Sequence, residues 1–257
     1  MSKFFFSIIT VVLNSKNDLI ETIKSLKDQK NKNFQYIVID GGSTDGTIDV
    51  LRENNQIIDS WISEKDQGIY DAMNKGLALA NGNYIGILNA GDKYTSEGLE
   101  IIHRYLKNNN FDFIFGTVQK KILKYKFNRN RIFWNFDFYT SHSSGFFIKK
   151  ESQKILGKYN LKYKISSDYD LFYRMIVKKK MKGICTKKNE LIGLFKSGTS
   201  FSSKFSYLEH LVEETTIRLD NKQNKFFVFL VFLIHFLKNK QKVNISIFEA
   251  IKKFRSI

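Results

Sequence analysis

Acidic and amide side chains follow each apolar run in the first hundred residues. Asn14 comes after Ser7–Leu13 (SIITVVL), and Asp40 closes Gln35–Asp40 (QYIVID). Glu64 and Asp66 come after Ile57–Ser63, and Asn89 with Asp92 close Tyr84–Asn89 (YIGILN). Such groups hold hard cations, accept hydrogen bonds from a ligand, or take a proton. In Asp40-Gly41-Gly42-Ser43-Thr44-Asp45-Gly46 the glycines let the backbone approach a ligand, and the helix that follows offers its N-terminus to an anion. The segment fails as a dinucleotide fingerprint, because its glycines are misplaced and follow the second strand. A plain turn with a helix cap also fits. Further on, Ser167-Asp168-Tyr169-Asp170 precedes a helical stretch that either acid could cap. Asp71 and Lys75 stand four apart, the spacing of a surface ion pair, with Asn74 between them. His142 stands alone near the start of an apolar run, where a histidine is more often structural than catalytic.

The elements that must position these residues alternate between strand and helix. Ser7–Leu13 and Gln35–Asp40 read as strands buried on both faces. Asp18 and Glu21 form a capping-box pattern before Leu19, Ile20, Ile23 and Leu26, which recur at helical spacing. Thr44 or Asp45 caps a helix through Leu51, and Ile69–Ala80 and Thr95–Leu106 are further amphipathic helices. Crossover helices between strands imply a parallel sheet, whose ligands bind beyond the carboxyl ends of the strands. That connectivity alone gathers the polar residues on one edge. After Phe115 the pattern changes: Val118–Arg131 alternates like an edge strand, Ser141–Ile148 reads as a core strand, Ser166–Lys178 as a helix and Leu191–Phe195 as a short strand. A soft boundary falls near 117–135.

The 257 residues suffice for one α/β domain with an appendage, and 42% hydrophobic content excludes global disorder. A single cysteine, Cys185, excludes an internal disulfide and a cysteine-based zinc site. The net charge of +17 is spread in short groups such as Lys120–Lys121 and Lys178–Lys180, which read as a solvated surface. Met1–Thr10 carries no signal-peptide pattern, and no run reaches the roughly 18 apolar residues of a membrane span. A cytoplasmic location is expected.

Six ordered segments carry a more specific likeness. Ser7–Asn14, Asp40–Thr47, Trp61–Leu79, Tyr84–Asp92, His142–Phe147 and Ser166–Arg174 resemble the successive motifs of the family 2 glycosyltransferases, over roughly residues 5–205. The resemblance is nearest to members that build bacterial surface polysaccharides. It implies a GT-A fold, α/β with a Rossmann-like, mostly parallel sheet flanked by helices, here with a helical C-terminal extension. Residues 1–117 would bind the nucleotide sugar, 118–205 the acceptor and carry the catalytic base, and 206–257 form the extension.

The same resemblance implies an inverting transfer of a hexosyl group from a nucleotide sugar, most commonly a UDP-sugar, to an acceptor hydroxyl. Asp40 matches the aspartate that accepts a hydrogen bond from the base, and Asn14 contacts the same nucleoside. Asp71, Asn74 and Lys75 fall at the donor site, with Lys75 near the diphosphate. Asn89-Ala90-Gly91-Asp92 takes the place of the metal motif, usually two or three carboxylates, with Asp92 as its remaining acid. Mn2+ or Mg2+ bound there would neutralise the departing diphosphate. Asp168 falls on the catalytic base, His142 close to donor or acceptor, and Asp170 in a supporting place. Ser197-Gly198-Thr199-Ser200 resembles a mobile loop by the active site.

Beyond these motifs, Phe226–Leu237 is intensely apolar and is followed by Lys238, Lys240 and Lys242. Ile245, Phe248, Ile251 and Phe254 recur at helical spacing. A basic amphipathic end suits a membrane interface and a lipid-linked acceptor at the inner leaflet. Packing on the catalytic domain or on a second subunit is the other reading. A sugar-nucleotide pyrophosphorylase would carry a glycine-rich loop after its first strand, where this chain has Asn14-Ser15-Lys16-Asn17. A glycosidase would need two opposed carboxylates, a pair that sequence does not exclude. No nucleic-acid-binding motif accompanies the positive charge, so no nucleic-acid partner is expected. A catalytically inactive nucleotide-binding scaffold stays open, because Asn89 and Gly91 replace acids.

Overall fold

In the computed structural model, residues 3–135, 138–196 and 205–245 are described. The first half lays down β1 (Phe6–Val12), α1 (Lys16–Lys27), β2 (Phe34–Asp40), α2 (Thr47–Glu53), β3 (Ser60–Ser63), α3 (Ile69–Leu79) and β4 (Tyr84–Ile87). β5 (Lys93–Tyr94), α4 (Gly98–Leu106), β6 (Phe113–Phe115), β7 (Thr117–Gln119) and β8 (Leu123–Lys124) follow. β9 (Phe146–Lys149), α5 (Lys150–Leu156), α6 (Ser167–Tyr173), β10 (Gly183–Cys185), β11 (Leu191–Leu194), α7 (Tyr207–Asp220) and α8 (Lys225–Lys238) come next.

The main sheet has the order β10-β6-β9-β4-β1-β2-β3. β1, β2, β3 and β4 run parallel, as do β6 and β10, while β9 enters antiparallel between β4 and β6. A smaller sheet, β5-β11-β7-β8, lies at the strand ends. Because β9 and β10 come from beyond residue 117 and complete the main sheet, the soft boundary at 117–135 marks a change of role within one sheet. Every residue of β1 and β2 is buried. Their side chains alternate between two layers, as strand geometry requires. Ile9, Val11, Ile37 and Ile39 face α3 and an aromatic cluster, while Phe6, Ile8, Tyr36 and Val38 face α1, α2 and α4.

Several local expectations shift. α1 starts at Lys16, so Asp18 stands inside its first turn and forms no capping box, and Glu21 pairs with Lys93 instead. The alternation over Val118–Arg131 resolves into β7, β8 and a 3-10 turn, Arg129–Phe133. The first part of Ser141–Ile148 is tight turn, and the strand begins at Phe146. The helix expected over Ser166–Lys178 is α6 followed by a π-turn, Arg174–Lys178. The loop Ser197–Ser200 and the positions Phe248, Ile251 and Phe254 lie outside the described residues.

Candidate active site

The carboxyl ends of β1 and β4, the start of α3, the turn before β9 and the start of α6 enclose a cleft of about 400 Å³. Asp18, Asp66, Asn89, Asp92, His142, Asp168 and Lys196 line it. Its size is that of a small-molecule site.

Asp168 stands in the first turn of α6 and is half-buried. Its Oδ1 accepts hydrogen bonds from Tyr70 Oη and from Tyr169 N, both at 3.0 Å, and its Oδ2 accepts one from Tyr139 Oη at 3.1 Å. The single Tyr70 proton is shared with the carbonyl of Ile165, 2.7 Å from the same Oη. Burial, and next the charge of Asp168, hold the Tyr70 phenol far above its ordinary pKa, so it stays a donor. Two phenols from separate elements thus fix the carboxylate in orientation. The backbone beneath it is held from outside the cleft. Glu213 of α7 accepts Lys164 N at 2.8 Å on Oε1, and Ile165 N and Ser166 N at 2.8 and 2.6 Å on Oε2. Ser166, the N-cap of α6, makes no side-chain capping bond of its own.

Asp40 is fully buried, and both of its oxygens are occupied. Oδ2 accepts Gly42 N, Ser43 N and Ser63 Oγ, and Oδ1 accepts Ser43 Oγ. Its carboxylate therefore builds the loop after β2 and does not line the cleft. Asn14, at φ 47°, ties the end of β1 to that loop, accepting Thr44 N at 2.8 Å. The acid that faces the cleft here is Asp66. Its Oδ1 accepts Gly68 N at 2.8 Å, and its Oδ2 lies over Gly41, where a Cβ would come within 2.5 Å. A side chain at 41 would push this carboxylate out of its present place.

Beyond Tyr70, α3 turns Asp71, Asn74 and Lys75 away from the cleft. Lys75 pairs with Glu64 at 2.8 Å and with Asp71 at 3.5 Å, and its Nζ donates to the Lys65 carbonyl at 3.3 Å, bracing the β3–α3 loop. Asn74 is buried and clamps the main chain of Tyr159, donating to its carbonyl at 3.0 Å and accepting its N–H at 2.8 Å. Tyr159 Oη in turn lies 2.7 Å from His142 Nε2. Asn74 therefore reaches the cleft only through His142. Burial pushes the His142 pKa down, against the charge of Asp168, so the ring is neutral near pH 7. Asp170 points to the far side of α6, where it pairs with Arg174 at 2.8 Å and accepts Asn221 Nδ2 at 3.0 Å.

Asn89 and Asp92 end the β4 segment with unmet demands. Asn89 Oδ1 and Asp92 Oδ2 are buried without a hydrogen-bond partner. Asp92 Oδ1 accepts Lys196 N at 2.8 Å. Burial pushes the Asp92 carboxyl up to about 6, although the nearby Ser143 hydroxyl and the Lys196 N–H favour its charged form. Thr140 Oγ1, Ser141 Oγ and Ser144 Oγ, in the turn before β9, are likewise buried and unpartnered. Of these, Asn89, Asp92 and Ser141 line the cleft, and a bound polar ligand would satisfy them.

Sequence reasoning passed over this hydroxyl-rich turn, and it passed over Asp18 and Lys196. Asp18 looked like a helix cap, and nothing in its spacing marks it as a cleft residue. Lys196 comes from the end of β11 and pairs with Asp18 at 2.5 Å. Only the packing of the smaller sheet brings it to the strand ends.

Known proteins agree with this architecture. The family model described as Glycosyl transferase family 2 matches residues 7–178. A PGL/p-HBAD biosynthesis glycosyltransferase of Mycobacterium bovis is 27% identical over 208 residues, covering 76% of this chain and 80% of that one. An uncharacterized glycosyltransferase of Mycobacterium tuberculosis is 38% identical over 90 residues, 35% of this chain and 34% of that one. Among solved structures, TarS 1–349 of S. aureus in complex with UDP superposes with a TM-score of 0.65 at 14% identity, over 88% of this chain and 69% of that one. This chain spans 42% of the TarS chain in another of its crystal structures. A mannosyltransferase of Pyrobaculum calidifontis, in complex with GDP-Man and Mn2+, gives a TM-score of 0.63 at 14% identity, over 86% of this chain and 64% of that one. With two-layered burial around a mostly parallel sheet, a polar cleft at its strand ends and a family match across most of its length, the chain belongs to the family 2 glycosyltransferases and has their GT-A fold.

Proposed function

We propose that this cleft moves a sugar from a nucleotide sugar, in the first instance a UDP-sugar, to an acceptor hydroxyl with inversion at the anomeric carbon. The observation that carries the reading is the placing of Asp168. It shares one cleft with Asp66, Asn89 and Asp92, and its carboxylate is oriented by two tyrosine hydroxyls. In this mechanism Asp168 takes the acceptor proton as the acceptor oxygen attacks C1. The bond from C1 to the diphosphate oxygen breaks, and the electron pair leaves with the nucleoside diphosphate. Neutral His142 and the hydroxyls of Ser141 and Ser143 line the same region and would contact sugar hydroxyls.

At the donor end, the reading gives base recognition to Asp66, whose carboxylate suits the N–H edge of uracil, with Asp40 shaping the loop beside it. Asn89 Oδ1 and Asp92 Oδ2 are acceptors that ribose hydroxyls would satisfy. The Mn2+ or Mg2+ expected at Asp92 meets a thin donor set of one buried carboxylate, one amide oxygen and the Asp18 carboxylate, which Lys196 already engages. Among the described residues no three His, Cys, Asp or Glu side chains gather as a metal site. These residues fit a hard divalent cation poorly, and no step here is routed through one.

Support for a nucleotide-sugar donor comes from the TarS structures with UDP and UDP-GlcNAc and from the mannosyltransferase with GDP-Man. The acceptor in this reading is a lipid-linked glycan at the cytoplasmic face of a membrane. No described helix is long and apolar enough to cross a membrane. α8, however, bares Phe226, Phe229, Leu230, Leu233, Ile234 and Leu237 at helical spacing, with Phe226 78% exposed.

Binding and transfer are measured separately. Calorimetric titration with UDP should show binding to wild type and to Asp168→Asn, and its loss in Asp66→Ala. UDP release from a bound UDP-sugar, with a membrane-lipid fraction as acceptor, should fall about 10²–10⁴-fold in Asp168→Asn. Turnover within tenfold of wild type would assign the base elsewhere, and undiminished UDP binding by Asp66→Ala would remove its role.

A further inference from the structure

The cleft holds a cation of its own where position 91 leaves room for one. Gly91 has φ 94°, and its N–H is held by the Asp18 carbonyl at 3.2 Å and by Thr22 Oγ1 at 2.9 Å. A Cβ there would lie 2.8 Å from Lys196 Cδ and 3.2 Å from Asp18 Oδ2. The lysine stem thus fills the space into which a side chain at 91 would grow. A carboxylate at 91 and Lys196 in its present place exclude one another. One arrangement would recruit a cation, and the other supplies it.

Lys196 is held at both ends of its residue. Its backbone N–H donates to Asp92 Oδ1 at 2.8 Å, and its ammonium rests on Asp18 Oδ1 at 2.5 Å. The ion pair is part exposed, with 42% of the lysine side chain open to solvent, so it is cheap to exchange for a stronger anion. A diphosphate is such an anion, and the lysine stem is flexible enough to follow it. The neighbouring cation Lys120 lies over the Phe195 ring at 4.3 Å, at the rim of the same cleft.

Resting on the nucleotide-sugar reading above, we propose that the Lys196 ammonium is the resident cation of this site. It leaves Asp18 for the donor's diphosphate and neutralises the charge that builds on the leaving oxygen, so that donor binding needs no divalent ion. Lys196 keeps its proton throughout, and the acceptor proton goes to Asp168.

The test is calorimetric titration of the full chain with UDP and with uridine, in EDTA and in Mn2+. Wild type should bind UDP equally in both buffers. Lys196→Met should weaken UDP about tenfold or more in EDTA, the worth of one charge-assisted contact. It should leave uridine, which has no phosphate, unchanged. Lys196→Arg should keep UDP affinity, and Asp18→Asn should bind UDP more tightly because the resting partner is gone. Wild-type binding that needs Mn2+, or Lys196→Met binding UDP as wild type does, would overturn the proposal. So would an equal loss of UDP and uridine, which would mark Lys196 as a prop of the fold. If wild type binds no nucleoside diphosphate in either buffer, the nucleotide-sugar reading itself falls.

Discussion

Asp92 bears two opposed demands. It is 3% exposed and its Oδ2 has no partner, yet it must be charged to hold Lys196 N–H most strongly. Its pKa of about 6, against an ordinary 3.8, means that the folded state keeps a proton the unfolded chain has lost between those values. Stability therefore falls as pH rises through that window, and the penalty is complete above pH 6. At about 1.4 kcal/mol per unit the penalty is at most about 3 kcal/mol, less after relaxation. Asp92→Asn keeps an acceptor for Lys196 N–H and removes the buried charge. Without nucleotide at pH 7.5 it should melt about 2–4 °C above wild type, a gain that disappears near pH 4. An unchanged or lower melting temperature at pH 7.5 would show that the cost is relieved by other means. A residue that costs the empty protein stability is one whose environment was shaped for a ligand.

At the level of elements, Asp168, the proposed base, is only as well placed as the turn before α6, and that turn is tied down by Glu213. A carboxylate offers acceptors on both oxygens, and three N–H groups use them. Glu213→Gln keeps one acceptor and turns an NH2 group toward a donor. We expect it to lower the melting temperature by about 4 °C or more, for a cost near 2 kcal/mol. Turnover should fall while UDP affinity stays within twofold of wild type. Loss of UDP affinity in step with turnover would mean that Glu213 supports the whole cleft and not the Asp168 end alone. The strand–helix alternation and the strand ends were legible from hydrophobic pattern, because β1 and β2 are buried on both faces and read as continuous apolar runs. The antiparallel insertion of β9 was not legible, since an apolar segment does not announce which neighbours it will pair with. Nor were Asp66 above Gly41, Asp18 beside Gly91, or Glu213 under α6. In each case the partner lies far along the chain, and no local spacing encodes it. Conversely, Asn74, Lys75 and Asp170 have the types and places that a motif expects, but packing commits their side chains elsewhere.

At the scale of the whole molecule, the exposed apolar residues of the described structure gather most densely on α8, close to several lysines. Net charge is +17, and α8 carries its bare apolar side chains among Lys222, Lys225, Lys238, Lys240 and Lys242. α8 also packs inward through Val228 and Val231, and Trp134 meets Phe227 with ring centroids 4.5 Å apart. The full chain should float with vesicles that contain anionic lipid and less so in high salt, while residues 1–224 should stay in solution. Equal flotation of both would remove the membrane role of α8. The cut is placed after Asn224 because Asn221 and Gln223 still serve the core, holding Asp170 and Arg218. The guanidinium of Arg218, fully buried, donates to the carbonyls of Ile132 and Phe133 and stacks over Tyr169 at 5.7 Å.

The Glu213 clamp also redraws the boundary of what can be inherited as a piece. The family-model match ends at residue 178, but the turn that carries Asp168 is anchored by a helix beyond it. A chimera that exchanges the matched segment between relatives and keeps the host's tail would leave three main-chain donors facing a surface not built for them. The smallest module that evolution or an engineer can move intact therefore includes α7. Drift in the tail is drift in the active site, even where no tail residue touches substrate.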